Sequence, residues 1–329
     1  MSESRPLVSF VVPLYNTGKA LEPLLEAFRD LPIEGGYELV LVNDASPDGS
    51  GERVPALAEN MPVPVTFVDM ARNFGEHAAV LEGFRHTRGQ YVINLDDDLQ
   101  NPISEALKLL AHLRATNADV VYAKYEEKKH SWWRNLGSWF TNKMATWLLD
   151  KPPHLYLCSF RALKRDLVLR VIAYTGPFPY IDGVILGATN RIEELTVAHD
   201  ERADGSSGYT LRKLVRLWMN MFFNFSIMPL RLASVMGAVL VVFGFVMLMV
   251  VLVEHLVTET QTQGWSSLMA AISIFSGGQL MMLGVIGEYV GRAFMTVSGK
   301  PQSIVRSAVR FQGKGGNARV WARTETNQG

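Results

Sequence analysis

The spacing of apolar and polar residues divides the chain near residue 230. Upstream, short apolar runs alternate with segments of helical period. The run LVSFVVPLY is rich in β-branched residues and predicts a strand buried on both faces. Residues 18–30 place Leu21, Leu24, Leu25 and Phe28 on one side of a helix. YELVLVND and VPVTFVDM predict the second and third strands, residues 75–87 a helix, and QYVINLDDD a fourth strand. Pro102 opens a helix through EALKLLAHLRA, and ADVVYAKY predicts a fifth strand. Strands alternating with helices imply an α/β fold, a mostly parallel sheet with helices on both faces. Downstream the pattern changes. Residues 232–253 and 265–287 form two apolar runs without charge. Each is long enough for a transmembrane helix, which needs ~20 apolar residues.

Charge sets an expected orientation. Arg212, Lys213, Arg216 and Arg231 precede the first run, and Arg292, Lys300, Arg306 and Arg310 follow the second. The connecting loop carries Glu254 and Glu259 but no Lys or Arg. The positive-inside rule then puts both ends in the cytosol, as a multi-pass protein of the inner membrane with a cytosolic N-terminal domain. No signal peptide is visible. HSWWRNLGSWFTNKMATWLL and YTLRKLVRLWMNMFFNFSIMPL mix aromatic bulk with cations, a pattern for helices lying in the headgroup layer. The expected organisation is a ligand-binding part over 1–130, a second part of the same domain with an amphipathic helix over 131–208, a juxtamembrane amphipathic helix over 209–231, two spans over 232–292, and a basic cytosolic tail of partial order over 293–329. The basic residues of that tail suit anionic lipid.

Composition narrows the classes. The 329 residues carry 32 Lys and Arg against 32 Asp and Glu, so no cationic surface for nucleic acid is expected. Apolar residues make up 48 %, too many for a disordered chain. A single cysteine, Cys158, excludes an intramolecular disulfide framework and a Cys-rich zinc module.

Open parallel sheets bind ligands at the carboxyl ends of their strands. Pro13, Tyr15 and Asn16 follow the first strand, Asn43, Asp44, Ala45 and Ser46 the second, and Asp96, Asp97 and Asp98 the fourth. Three adjacent carboxylates repel one another unless a cation or hydrogen-bond donors neutralise them. Mg²⁺ prefers one or two carboxylates plus a substrate's phosphates. The alternative is a solvated acidic turn.

SFVVPLYN, VNDASPDGS, ARNFGEHAAVLEGF and LDDDLQNP resemble the motifs of family 2 glycosyltransferases with the GT-A fold. MPLRLASVMG and LGVIGEYVGR resemble the polyprenyl-phosphate branch of that family, whose acceptors include dolichyl and undecaprenyl phosphate. The resemblance runs from about Val8 to about Ile304. It implies that Pro13, Tyr15, Asn16 and Asp44 line the nucleotide, that Arg72 and Asn73 shape the donor pocket, and that Asp96 and Asp98 are the ends of a D-x-D whose middle residue, Asp97, also contacts the donor. Asp98, with Asp96, would hold Mg²⁺ or Mn²⁺. The implied reaction moves a sugar, with inversion, from a nucleotide-diphosphate sugar to a polyprenyl phosphate, for a cell-envelope glycan or lipid. Arg202 would face phosphates. Relatives also suggest a homo-oligomer. Three positions depart from the pattern: Thr17, where Glu is frequent; Leu155, aligned with an acceptor-side Asp; and Gly208, where Lys is usual. His154 and Asp182 are the candidates to substitute for that Asp. These departures keep open a catalytically degenerate binding or scaffold protein. A processive polysaccharide synthase would carry Q-x-x-R-W and more spans.

Overall fold

A computed structural model describes residues 5–125, 152, 155–176, 178–198, 228–257, 264–299, 301–313 and 319–321. The chain forms two compact units, residues 1–210 with 301–329, and residues 211–300.

The first unit is built on a nine-stranded sheet. Its opening strands and helices are β1 (Val8–Leu14), α1 (Leu21–Ala27), β2 (Tyr37–Asn43), α2 (Ser50–Ala58), β3 (Val65–Met70), α3 (Glu76–His86), β4 (Tyr91–Asn94), α4 (Ile103–Ala115) and β5 (Val120–Tyr125). They are followed by β6 (Arg161–Lys164), α5 (Arg165–Ile172), α6 (Ile181–Ala188) and β7 (Ile192–Val197), and later by β8 (Val305–Phe311) and β9 (Arg319–Trp321). The spatial order is β7-β5-β6-β4-β1-β2-β3-β8-β9. The central strands β3, β2, β1 and β4 are parallel, as expected. β6 enters antiparallel between β4 and β5, and β8 runs antiparallel along β3.

Strand alternation divides the core in two. Val8, Phe10, Val12 and Leu14 of β1, with Leu39 and Leu41 of β2, pack on one face with α1, α2 and α4. Val11, Val40 and Val42 point to the other face, against α3, α5 and α6. Such burial on both sides explains the near-continuous apolar runs. α3 lies close on the sheet because Gly83 has no side chain: a Cβ there would come within 2.4 Å of Val11 Cγ1.

The tail departs from expectation. Within residues 301–313, Val305–Phe311 forms β8 of the sheet rather than an extension of partial order. Arg310 Nη2 donates to Glu38 Oε2 at 2.8 Å, and Glu38 is fully buried. Arg306 pairs with Asp69 at 3.0 Å. The buried Glu38 on β2 and the half-buried Asp69 on β3 therefore take the cations that charge alone assigned to lipid. Ser303 Oγ and Arg85 Nη1 each donate to buried Glu82 at 2.7 Å.

The second unit contains two long helices, α7 (Met228–Val257) and α8 (Trp265–Val297). Leu230–Val250 and Ile274–Val297 are long and apolar enough to cross a membrane. Gly237 lies against Met282, Gly244 against Phe275 and Gly278 against Leu240, so small residues let the helices approach. α8 runs beyond the expected uncharged stretch, through an Arg292–Glu288 ion pair of 2.7 Å one turn apart. The first amphipathic stretch, and the second up to residue 227, lie outside the described residues.

Glu82 supplies a pH test of how the tail is locked. Burial alone would raise its pKa, but hydrogen bonds from His86, Ser303 and Arg85 and the Arg85 charge outweigh burial and hold it at about 2, below 4.5. A depressed folded-state pKa contributes stability that is full above the unfolded value and is lost as pH falls through the folded one. Glu82→Gln should therefore destabilise the protein by about 2–3 kcal/mol near pH 7. The gap from wild type in thermal unfolding should shrink between pH 4.5 and about 2.

Candidate active site

The loops after β1, β2, β3 and β4 meet at one edge of the sheet. At the end of β1, Pro13 is buried within the β1–β2 pairing, while Tyr15 is 47 % exposed beyond it. Asn16 has φ of 57° and donates its backbone N–H to Ser46 Oγ at 2.8 Å. The β1 and β2 loops are thus tied together.

Asp44 points inward. It is 2 % exposed, and its Oδ1 and Oδ2 accept the backbone N–H groups of Phe74 and Gly75 at 2.7 and 2.8 Å. Burial raises its pKa, and these two donors oppose the rise. Asp44 therefore acts on the cleft through the 71–75 loop. That loop exposes Arg72 and Asn73, with the Arg72 guanidinium 4.7 Å from the centre of the Phe74 ring.

The acidic triplet separates into different environments. Asp97 Oδ2 accepts the Tyr15 N–H at 3.1 Å and the Thr17 hydroxyl, so Asp97 braces the β1 loop. Burial pushes its pKa up to about 6, against the lowering effect of those donors. Thr17, a departure from the family pattern, is one of its holders. Asp96 Oδ2 accepts from Ser159 Oγ at 2.6 Å, and Asp98 Oδ1 accepts the Gln100 N–H at 3.2 Å. Both are half-buried.

Two groups absent from the expected site lie beside them. Glu76 opens α3, is solvent-exposed and is pushed up to about 7. The crowding of protein around it is the first cause, then Asp96, with Asp182 and Asp97 adding and Arg161 opposing. His77 is pushed down to about 4 by burial and meets Tyr180 edge to face at 5.0 Å. Beneath them Arg161 pairs with Asp182, which also accepts from Tyr122 Oη at 3.0 Å. Asp182 is thus committed to a buried ion pair. Glu76 stands within the quoted NFGEHAA run and Ser159 within LCSF, but neither spacing nor charge marks which way a side chain faces.

Leu155, aligned with the family's acceptor-side Asp, is 2 % exposed and packed in the core beside α3, α5 and α6. His154 and Arg202 lie outside the described residues. Among the described residues, no three His, Cys, Asp or Glu side chains are arranged to hold a metal ion. The donor set nevertheless fits a hard cation. Two half-buried carboxylates, Asp96 and Asp98, adjoin further acids, which matches a Mg²⁺-type site completed by a ligand's phosphates.

Residues 9–171 match the family model for glycosyl transferase family 2. Undecaprenyl-phosphate 4-deoxy-4-formamido-L-arabinose transferase of Pseudomonas aeruginosa (strain LESB58) is 35 % identical over 92 % of this chain and 91 % of its own length. Its counterpart in Proteus mirabilis (strain HI4320) is 32 % identical over 92 % and 94 %. Among solved structures, glucosyl-3-phosphoglycerate synthase from Mycobacterium tuberculosis aligns with a TM-score of 0.48 at 16 % identity, over 66 % of this chain and 77 % of that one. The chain belongs to glycosyl transferase family 2 and is a glycosyltransferase.

The Asp44 clamp is open to direct test. In Asp44→Asn the amide nitrogen cannot accept the second backbone N–H, which leaves a buried donor unsatisfied. The expected cost is about 1–3 kcal/mol of stability, read as a lowered midpoint of thermal unfolding.

Proposed function

We propose that this protein moves one sugar from a nucleotide-diphosphate sugar to a polyprenyl phosphate, in a metal-dependent and inverting reaction at the cytosolic face of a membrane. The observation that carries the reading is the concentration of carboxyl groups at one edge of the parallel sheet, with Asp96, Asp97 and Asp98 after β4 and Glu76 at the start of α3. Two long apolar helices and the likeness to undecaprenyl-phosphate 4-deoxy-4-formamido-L-arabinose transferases support a lipid-linked acceptor.

Asp98 and Asp96 are the residues that would hold Mg²⁺ or Mn²⁺. Such an ion supplies Lewis-acid stabilisation of the charge that grows on a departing diphosphate. The protein's own part is placement. Asp97 holds the β1 loop that presents Tyr15, and Asp44 holds the loop that presents Arg72 and Asn73. Glu76, whose pKa burial and then Asp96 push up to about 7, adds a further acid beside Asp96.

The attacking atom is an oxygen of the lipid phosphate. It forms the new bond at the anomeric carbon as the bond to the diphosphate oxygen breaks on the opposite face. A phosphate monoester has its second pKa near ~6, so this oxygen carries its charge at neutral pH without a protein base. An apolar Leu155 buried in the core agrees with that economy. Leu155→Asp would bury a charge and destabilise the fold rather than restore a base.

The test uses purified full-length protein with Mn²⁺, a polyprenyl phosphate and radiolabelled nucleotide-diphosphate sugars, the 4-deoxy-4-formamido-L-arabinose donor among them. Label should enter the organic phase, and Asp98→Ala should lower the rate by about a hundredfold or more. Nucleotide binding without transfer from any donor would overturn the reading in favour of a binding or scaffold protein.

A further inference from the structure

The 71–75 loop is held at both ends. Its far end hangs on Asp44, as described. Its near end is held by the chain that returns after α8. Ala71 donates its backbone N–H to Ile304 O at 2.8 Å, extending the β3–β8 pairing past a register shift at Asp69 and Met70. Arg306 then closes over the same point. Its Nη1 donates to Asp69 Oδ2 at 3.0 Å and its Nη2 to Ala71 O at 3.1 Å. A planar guanidinium fork suits two acceptors placed in this way.

The contacts continue inward from Asp69. Its Oδ1 accepts from Asn43 Nδ2 at 2.7 Å, and Asn43 Oδ1 accepts the Ser46 N–H at 3.1 Å. Ser46 Oγ in turn accepts the Asn16 N–H. One exposed arginine on β8 thereby reaches the loops after β3, β2 and β1. Upstream of it, Gln302 Nε2 donates to Tyr174 O at 3.0 Å and Gly176 O at 2.6 Å, and Ser303 is locked to Glu82. The segment carrying Arg306 is therefore fixed on both of its flanks, because Arg310 holds Glu38 beyond it. Residues 298–300 alone separate it from the end of α8.

We propose that Arg306 is a positioning residue for donor binding: with Ile304 O, it fixes the near end of the loop that presents Arg72 and Asn73, while Asp44 fixes the far end. The donor role of that loop rests on the function proposed above. The clamp on the loop does not.

The experiment compares wild type, Arg306→Ala and Arg306→Lys as full-length protein in nanodiscs. Amide hydrogen exchange is followed for a peptide covering 70–76, with a β2 peptide covering 37–43 as the reference. In Arg306→Ala the loop amides should exchange roughly tenfold faster with the β2 peptide unchanged. Donor KM should rise roughly tenfold while kcat and acceptor KM stay within about twofold. Arg306→Lys keeps a charge for Asp69 but loses the fork, so about a threefold effect on each readout is expected. Unchanged loop exchange, or equal acceleration in both peptides, overturns the proposal, as does a fall in kcat with donor KM fixed. If wild type transfers no sugar, the functional reading falls, and the exchange data still decide whether Arg306 holds the loop.

Discussion

Negative charge gathered at one edge of a parallel sheet is the constraint on which this structure turns. Parallel strands end on the same side, so the residues that follow β1, β2 and β4 must share one crevice. Here that crevice receives Asp44, the Asp96–Asp98 triplet and, from the start of α3, Glu76. Such a group is tolerated only if donors, protons or a cation answer it. The protein uses the first two itself. Backbone N–H groups answer Asp44, Tyr15 and Thr17 answer Asp97, and Glu76 is pushed into the range where it holds a proton. Asp96 and Asp98 are the pair suited to a cation.

Neighbouring acids therefore do different work. Asp44 and Asp97 are internal struts whose oxygens set the shape of the loops around the cleft. Asp96 is oriented by Ser159 from the loop before β6, which ties the triplet to the far half of the sheet. Below, the Arg161–Asp182–Tyr122 group places a buried cation under the crowd. The desolvation of a buried ion pair of this kind offsets much of its Coulombic attraction, so it adds little net stability.

The repeating α/β pattern, the first five strands and both long apolar helices were legible because they are long and strongly periodic. β6 was not: it has only 4 residues, with Arg161 and Lys164 at its ends, and its arginine is buried by pairing with Asp182, which no local pattern reveals. β8 was hidden for a related reason. Arg306 and Arg310 read as solvent or lipid charges until Asp69 and Glu38, more than two hundred residues earlier, are placed beside them. The candidate site was legible as a set of residue types at strand ends. Which acid faces inward depends on loop geometry, so the division between Asp44 and Asp97 on one hand and Asp96 and Asp98 on the other emerged only from the fold.

In the function proposed here, Asp96 and Asp98 at the end of β4 form a divalent-cation site completed by a diphosphate. Electron paramagnetic resonance of Mn²⁺ titrated into the full-length protein, with and without a nucleoside diphosphate, tests it most directly. One Mn²⁺ should bind per chain, more tightly when the nucleotide is present, and binding should be lost in Asp98→Ala. Binding that ignores the nucleotide, or survives that substitution unchanged, would contradict it.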